Sequence, residues 1–261
     1  MEEKETKKKL HIITGIHGNE AFLFQLLREY VQELETENVE IRVILANKEA
    51  AEKDSRYVDQ DLNRSFGIQS KENKETRIAR ELIRLCQADL VLDLHSHTGK
   101  ETFSLVSEKN LTKELTQFIS LLHAGPCIVL QPQVSNGKSL IENVPNSLSI
   151  ETGEHNSPEA VAFAKASIKK ALLFLHGGRI TIPITARFLQ AEKFIYNNSN
   201  EEIFLSPELR NFTIMDKGLK VYPGYVTEEQ FIPALISYSA KPGKKIFLAC
   251  KEIVNGGVDH E

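Results

Sequence analysis

The sequence holds no apolar run near the roughly 20 residues that a membrane-spanning helix needs. Its longest greasy stretch, ALLFLH at 171–176, is far too short. The opening MEEKETKKKL is charged and has no apolar core segment, so it does not read as a secretory signal. Cysteines are scarce. Cys86, Cys127 and Cys250 are odd in number, far apart, and form no Cys-x-x-Cys pair. That argues against a disulfide framework and against a thiolate zinc site. Each lies in an apolar stretch and reads as a small buried hydrophobe. A reducing, cytoplasmic compartment fits best. A surplus of positive charge is also missing: the net charge is −4 and the isoelectric point about 6.1. This argues against a nucleic-acid partner. No internal repeat and no low-complexity tract is present.

What remains is an ordinary globular composition, 41% apolar and 26% charged over 261 residues. That length fits one large domain, or one domain with a small appendage. Up to residue 178, strand-like and helix-like segments alternate. LHIIT at 10–14 is a β-rich run. Leu23, Leu26, Leu27, Tyr30 and Val31 then recur on one helical face. IRVILA at 41–46 reads as a second strand. The polar stretch 47–70 reads as a long loop, and loops of that length in a compact domain are usually functional. A helix is predicted over 72–87. LVLDLH at 90–95 is nearly all apolar, as in a parallel strand buried on both faces. TFSLV, a helix near 111–123, CIVL and SLSIE follow. Ser157-Pro158 opens a helix that Gly177-Gly178 stops. Such alternation implies an α/β sheet with helices on both faces. Beyond residue 178 the texture changes to short β-rich runs broken by Pro, Gly and Asn. Two domains are therefore expected, 1–178 and 179–261, the second small and β-rich.

Four segments carry chemistry. GIHGNEA at 15–21 lies where a strand gives way to a helix, the end of an α/β strand where ligands bind. A helical turn would bring His17 and Glu20 to one side. DLHSH at 93–97 puts His95 at the end of another buried strand. Two histidines and a glutamate make a zinc set that leaves a position for water. RYVDQDLNRSF at 56–66 supplies Arg56, Asn63 and Arg64, and a guanidinium can grip a carboxylate through two parallel hydrogen bonds. In SIETGEH, Glu151 ends a predicted strand. A carboxylate there is costly unless it has a partner or a task, and it fits either a general base or a partner of a ligand.

In this order, GIHGNE, RYVDQDLNR, DLHS and IETG resemble the aspartoacylase and succinylglutamate desuccinylase family, which is similar in fold to zinc carboxypeptidases. The resemblance implies an α/β fold, with a mixed, mainly parallel sheet flanked by helices and a small C-terminal β-rich domain. It implies one zinc ion per chain, held by His17, Glu20 and His95. Arg56 would polarise the scissile carbonyl, Asn63 and Arg64 would clamp the substrate carboxylate, and Glu151 would be the general base. The implied activity is hydrolysis of an N-acyl amino acid or a similar carboxylate-bearing small molecule by zinc-activated water. A metallocarboxypeptidase acting on peptides, and a zinc-bearing protein without catalysis, are the alternatives. No membrane partner is expected, and a homo-oligomer is compatible with the sequence. One departure stands out. The best-known deacylases of acidic amino acids carry another substrate-binding arginine shortly before the catalytic glutamate. Here 139–150 contains no Arg or Lys, and Lys138 is the nearest cation. An aspartate- or glutamate-type substrate is thereby put in question. His97, on the strand face of His95, and Tyr222 and Tyr225 of the C-terminal part are further candidates for the pocket.

Overall fold

Alternating apolar runs and capped amphipathic segments set the order of elements in the computed structural model. It describes residues 7–176 except 35, 37 and 71, and residues 184–253 except 206–208, 219, 223, 224, 228 and 238. The first part comprises β1 (Lys8–Thr14), α1 (Leu23–Gln32), β2 (Val39–Leu45), α2 (Lys48–Glu52), α3 (Lys74–Leu85), β3 (Leu90–His97) and β4 (Phe103–Ser107). It continues through α4 (Lys113–Leu122), β5 (Cys127–Leu130), α5 (Pro132–Ser135), α6 (Leu140–Asn143), β6 (Ser147–Glu154) and α7 (Pro158–His176). Then follow β7 (Phe188–Tyr196), β8 (Ile203–Phe204), β9 (Lys220–Tyr222), β10 (Tyr225–Val226), β11 (Ile232–Ala234), β12 (Ser239–Ala240) and β13 (Lys245–Ile253).

Nine strands form one sheet in the order β11-β13-β7-β5-β4-β6-β3-β1-β2. β1 runs parallel to β2 and β3, β3 to β6, and β5 to β4 and β7. β4 is antiparallel to β6, and β13 to β7 and β11. The sheet is thus mixed and mainly parallel, as the sequence led us to expect.

Period-two alternation assigns the two faces. Leu90, Leu92 and Leu94 of β3 pack with Leu23 and Leu27 of α1, Phe118 of α4 and Ile168 of α7. Val91 faces the other way, towards Ala79 and Leu82 of α3 and Ile141 of α6. Each buried leucine contributes about 2 kcal/mol relative to exposure. Asp93 and His95 share the Val91 face, and both are buried. Burial of those charged groups costs free energy unless they are paired, so the carboxyl end of β3 is where chemistry is to be sought. Cys86, Cys127 and Cys250 are fully buried, and burial pushes their thiols up to about 12.

The C-terminal part is β-rich. The division expected between residues 178 and 179 lies outside the described residues. β7 pairs directly with β5, so main-chain hydrogen bonds join β7, β13 and β11 to the α/β sheet. A third apolar cluster, including Ile203, Leu209, Val221 and Phe247, lies in this part.

Three local expectations change. The stretch 47–70 is not featureless: Asn47 caps α2 by accepting the Ala50 N–H at 3.3 Å, and Asp61 caps a 3-10 turn at Leu62–Arg64. Elements this short show no apolar periodicity. Glu151 does not end its strand, because β6 stays paired with β3 as far as His97 and Glu154. Of the alternating stretch 179–190, residues 179–183 lie outside the described part, and the strand begins only at Phe188. Among the described residues, no helix is long and apolar enough to cross a membrane.

Candidate functional site

The site is built around the turn that follows β1. Gly15 adopts φ +64°, a left-handed conformation that favours glycine, and so turns the chain off the sheet. At Gly18 a Cβ would fall 2.2 Å from the Ala50 carbonyl carbon, so only glycine lets this turn sit against α2. Gly18–Glu20 forms a 3-10 turn rather than an α-helical one. It still brings the predicted pair together: His17 Nδ1 lies 2.7 Å from Glu20 Oε1.

His95 completes the group. Its Nδ1 lies 2.9 Å from Glu20 Oε2, and the two imidazole centroids are 5.0 Å apart. One donor atom from each of His17, Glu20 and His95 falls within 4.8 Å of the others, and all three side chains are buried. The far ring nitrogens face carboxylates. His17 Nε2 lies 3.3 Å from Asp61 Oδ1, and His95 Nε2 lies 3.0 Å from Asp93 Oδ2. A carboxylate on one ring nitrogen fixes the proton there and frees the other nitrogen for a cation. The arrangement therefore fits a metal ion such as zinc. Burial pushes the Glu20 carboxyl up, but His95 and His17 outweigh it and hold the group well below the usual carboxylate range. Burial pulls His95 down, yet Asp93 and Glu20 together raise it well above the ordinary imidazole value.

The loop carrying Arg56, Asn63 and Arg64 is fastened at several points. Gly18 and Asn19 N–H donate to the carbonyls of Arg56 and Ser55 at 3.2 and 3.1 Å. Asp61 accepts from Arg56 Nε and Nη2 at 3.2 and 3.1 Å, which holds the guanidinium beside the cluster, with Nη1 3.8 Å from Glu20 Oε1. Burial raises the Asp61 carboxyl, and His17, Arg56 and Arg64 bring it below its ordinary value. Asn63 Oδ1 accepts the Leu140 N–H at 3.1 Å, and its Nδ2 lies 3.4 Å from His95 Nε2.

Deeper still, fully buried Glu75 accepts the N–H groups of Val58, Asp59 and Gln60 at 2.7, 3.1 and 3.3 Å, and Asn47 Nδ2 at 3.1 Å. One carboxylate of α3 thus orders the whole approach to the site. Glu75→Ala is expected to lower stability by about 3 kcal/mol, because it orphans buried donors. It should also raise KM through the loosened loop. Urea unfolding and steady-state kinetics check both, and an unchanged KM would show that the loop holds without it.

Glu151 sits beside His95 in the β3–β6 register. Its Oε2 is buried and without a hydrogen-bond partner among the described residues. Burial raises its pKa, partly offset by His95. His17, Arg56, Asn63, Arg64, Asp93, His95 and Glu151 line one cavity of about 280 Å³. Its wall also includes apolar Leu105, Leu130, Val134 and Ile141, polar Ser135, Asn136, Ser139 and Ser149, and Phe194, Tyr196 and Lys245 of the C-terminal strands.

Of the other candidates, His97, Lys138 and Tyr222 do not line this cavity. His97 Nε2 lies 2.9 Å from the Glu101 carbonyl, and its ring packs on Phe103. Lys138 contributes its carbonyl, which accepts the Phe66 N–H at 3.2 Å. Tyr222 is buried in the third apolar cluster, and the Tyr225 side chain lies outside the described parts. Sequence reasoning missed Asp61, although it stands inside RYVDQDLNR. It also missed Lys245, Phe194 and Tyr196, which no motif marks.

Residues 6–170 match the succinylglutamate desuccinylase/aspartoacylase catalytic domain. The chain belongs to this family. Among relatives in it, a probable aspartoacylase of Prochlorococcus marinus subsp. pastoris is 30% identical over 159 residues, covering 57% of this chain and 54% of that protein. The rat N-acyl-aromatic-L-amino acid amidohydrolase (carboxylate-forming) is 31% identical over 168 residues, covering 56% and 53%. The chain thus spans about half the length of the curated relatives it matches. The family fold extends through the C-terminal strands. The crystal structure of murine aminoacylase 3 superposes with a TM-score of 0.73 at 19% identity, over 96% of this chain and 97% of that one.

Proposed function

We propose that this protein is a zinc-dependent deacylase that hydrolyses the amide bond of an N-acyl amino acid with an uncharged side chain. The observation that carries this reading is the convergence of two imidazole nitrogens on the Glu20 carboxylate beside Glu151, whose Oε2 is buried and without a hydrogen-bond partner among the described residues. His17, Glu20 and His95 would hold the ion, which when bound lowers the pKa of water and polarises a carbonyl. Asp61 and Asp93, each against the far nitrogen of one ring, would keep both imidazoles oriented for it.

The chain's own groups account for the rest. Glu151 takes a proton from the attacking water at its free Oε2 and returns it to the departing amine. Its raised pKa suits the first task, because a stronger base takes a proton from water more readily. Arg56, fixed by Asp61, places positive charge where the carbonyl oxygen becomes an oxyanion. Asn63 Nδ2 and the Arg64 guanidinium supply donors for the substrate carboxylate and hold the amide in reacting geometry.

Leu105, Leu130, Val134 and Ile141 give the cavity an apolar stretch of wall, which supports an apolar side chain. A volume of about 280 Å³ suits a small molecule rather than an extended peptide, and favours the deacylase over a carboxypeptidase. The test is amine release by the zinc-loaded protein across N-acyl amino acids and short peptides. N-acyl derivatives of aromatic and aliphatic amino acids should react at least about tenfold faster than N-acetylaspartate, the cost of burying a charge without a partner. Release from peptides alone would move the protein to the carboxypeptidases.

A further inference from the structure

The ionic groups around the cavity are almost all paired with one another. Glu20 faces both histidines, Asp93 faces His95, and Asp61 faces Arg56 and His17. Two cations are left over. Arg64 donates Nη1 to the Asn63 carbonyl at 2.7 Å and has no ion pair among the described residues. Lys245 likewise has none there. Its Nζ instead rests 3.5 Å from the centroid of the Phe194 ring, a cation–π contact that positions the ammonium.

This lysine is held by the fold rather than trailing in solvent. It opens β13 opposite Tyr196 of β7. The turn before it is closed by Gly243 N–H to the Asn197 carbonyl at 2.8 Å, and by Asn197 N–H to the Lys244 carbonyl at 2.9 Å. Asn197 itself is fully buried, and its Nδ2 donates to the carbonyls of Ala240 and Glu201 at 2.7 and 2.8 Å. Burial lowers the Lys245 pKa, the nearby Arg64 lowers it further, and Asp61 acts in the opposite direction, so the two cations sense each other. Like charges near one another disfavour each other's charged form, and an anion placed between them relieves that. Arg56, Arg64, Asn136, Tyr196, Leu235 and Lys245 are the exposed members of the lining, whereas Leu130, Ile141 and Ser149 are buried.

We propose that Lys245 is a substrate-binding residue that, together with Arg64, holds the free carboxylate of the amino acid at the cavity mouth. The inference rests on the deacylase reading for the identity of the ligand. It assigns to the C-terminal strands a direct part in recognition, and it places the cation that 139–150 lacks on a different element. Phe194 serves as the platform that aims the ammonium.

The test compares N-acetylphenylalanine with its C-terminal amide in the zinc-loaded protein. Lys245→Gln should raise KM for the acid about tenfold, the usual size of one charge-assisted hydrogen bond, with kcat changed far less. The acid-to-amide ratio of kcat/KM should fall by the same factor, and Lys245→Arg should restore most of it. An unchanged ratio, or an equal loss on acid and amide, would overturn the proposal, since a merely structural lysine affects both. A second readout does not depend on turnover. In Glu151→Gln protein, N-acetylphenylalanine should protect Lys245 from an amine-reactive label, as read by peptide mass spectrometry, and the amide should not. Protection without any turnover in the unmodified enzyme would sink the deacylase reading and leave the carboxylate site standing. Turnover without protection would do the reverse.

Discussion

Glu151→Gln is expected to lower kcat by about a thousandfold or more, within the range that general acid–base groups contribute, while the protein keeps its metal and its fold. The amide is nearly isosteric with the carboxyl but cannot accept and return a proton. Metal should stay bound, because the converging donor atoms belong to His17, Glu20 and His95. Stability should hold or rise, because the substitution removes a buried carboxylate oxygen that has no partner among the described residues. The pH profile supplies an independent check. Burial raises the Glu151 pKa, so the base is lost as pH falls through a value above the ordinary glutamate range of about 4.3. The acid limb of kcat/KM should therefore lie above that range. Kinetics across pH, with metal content measured by elemental analysis, check the whole set. Retained turnover in the variant would remove Glu151 from the mechanism.

The residues that converge on Glu20 were legible because each stands at the end of an apolar run, in a motif short enough to be rigid. GIHGNE needs Gly15 for its left-handed turn and Gly18 for its approach to α2, so the sequence pattern is itself a backbone requirement. Strand order was legible only in outline. Alternation implies parallel strands but says nothing about β4, which enters antiparallel to β6. Long-range partners were the least visible. Glu75 reads as an ordinary acid in the first turn of a helix, and only the fold reveals the three N–H groups it collects. Lys245 lies more than ninety residues beyond Glu151 in a run of surface-like lysines. Its place in the cavity follows from the pairing of β7 with β5 and of β13 with β7. Such pairings depend on register between distant segments, and no local pattern encodes them.

Replacing one of the proposed metal ligands should have the other large effect, and its pH dependence separates a metal site from a buried salt bridge. His95→Gln is expected to abolish zinc binding and turnover together. In the metal-free protein, Asp93 and Glu20 overcome burial and raise the His95 pKa well above its ordinary value. That contribution to stability is fully present below the unfolded histidine pKa of about 6.5 and is lost as pH rises through the folded value. Glu20, held low by the histidines, contributes above the unfolded glutamate pKa and loses its contribution as pH falls. The metal-free protein should therefore be most stable between about pH 4.3 and pH 6.5, where both contributions are complete, and should weaken as pH rises from 6.5 towards 9. Zinc competes with the protons on the same imidazoles, so its affinity should climb over that interval. The gap in Tm between zinc-loaded and chelator-treated protein should widen from pH 6 to pH 9, and at saturating zinc each hundredfold excess over Kd adds about 2.7 kcal/mol. Calorimetry at three pH values measures it. A gap that stays constant, or one that narrows as pH rises, would show that His17, Glu20 and His95 are a proton-linked structural cluster and not a metal centre.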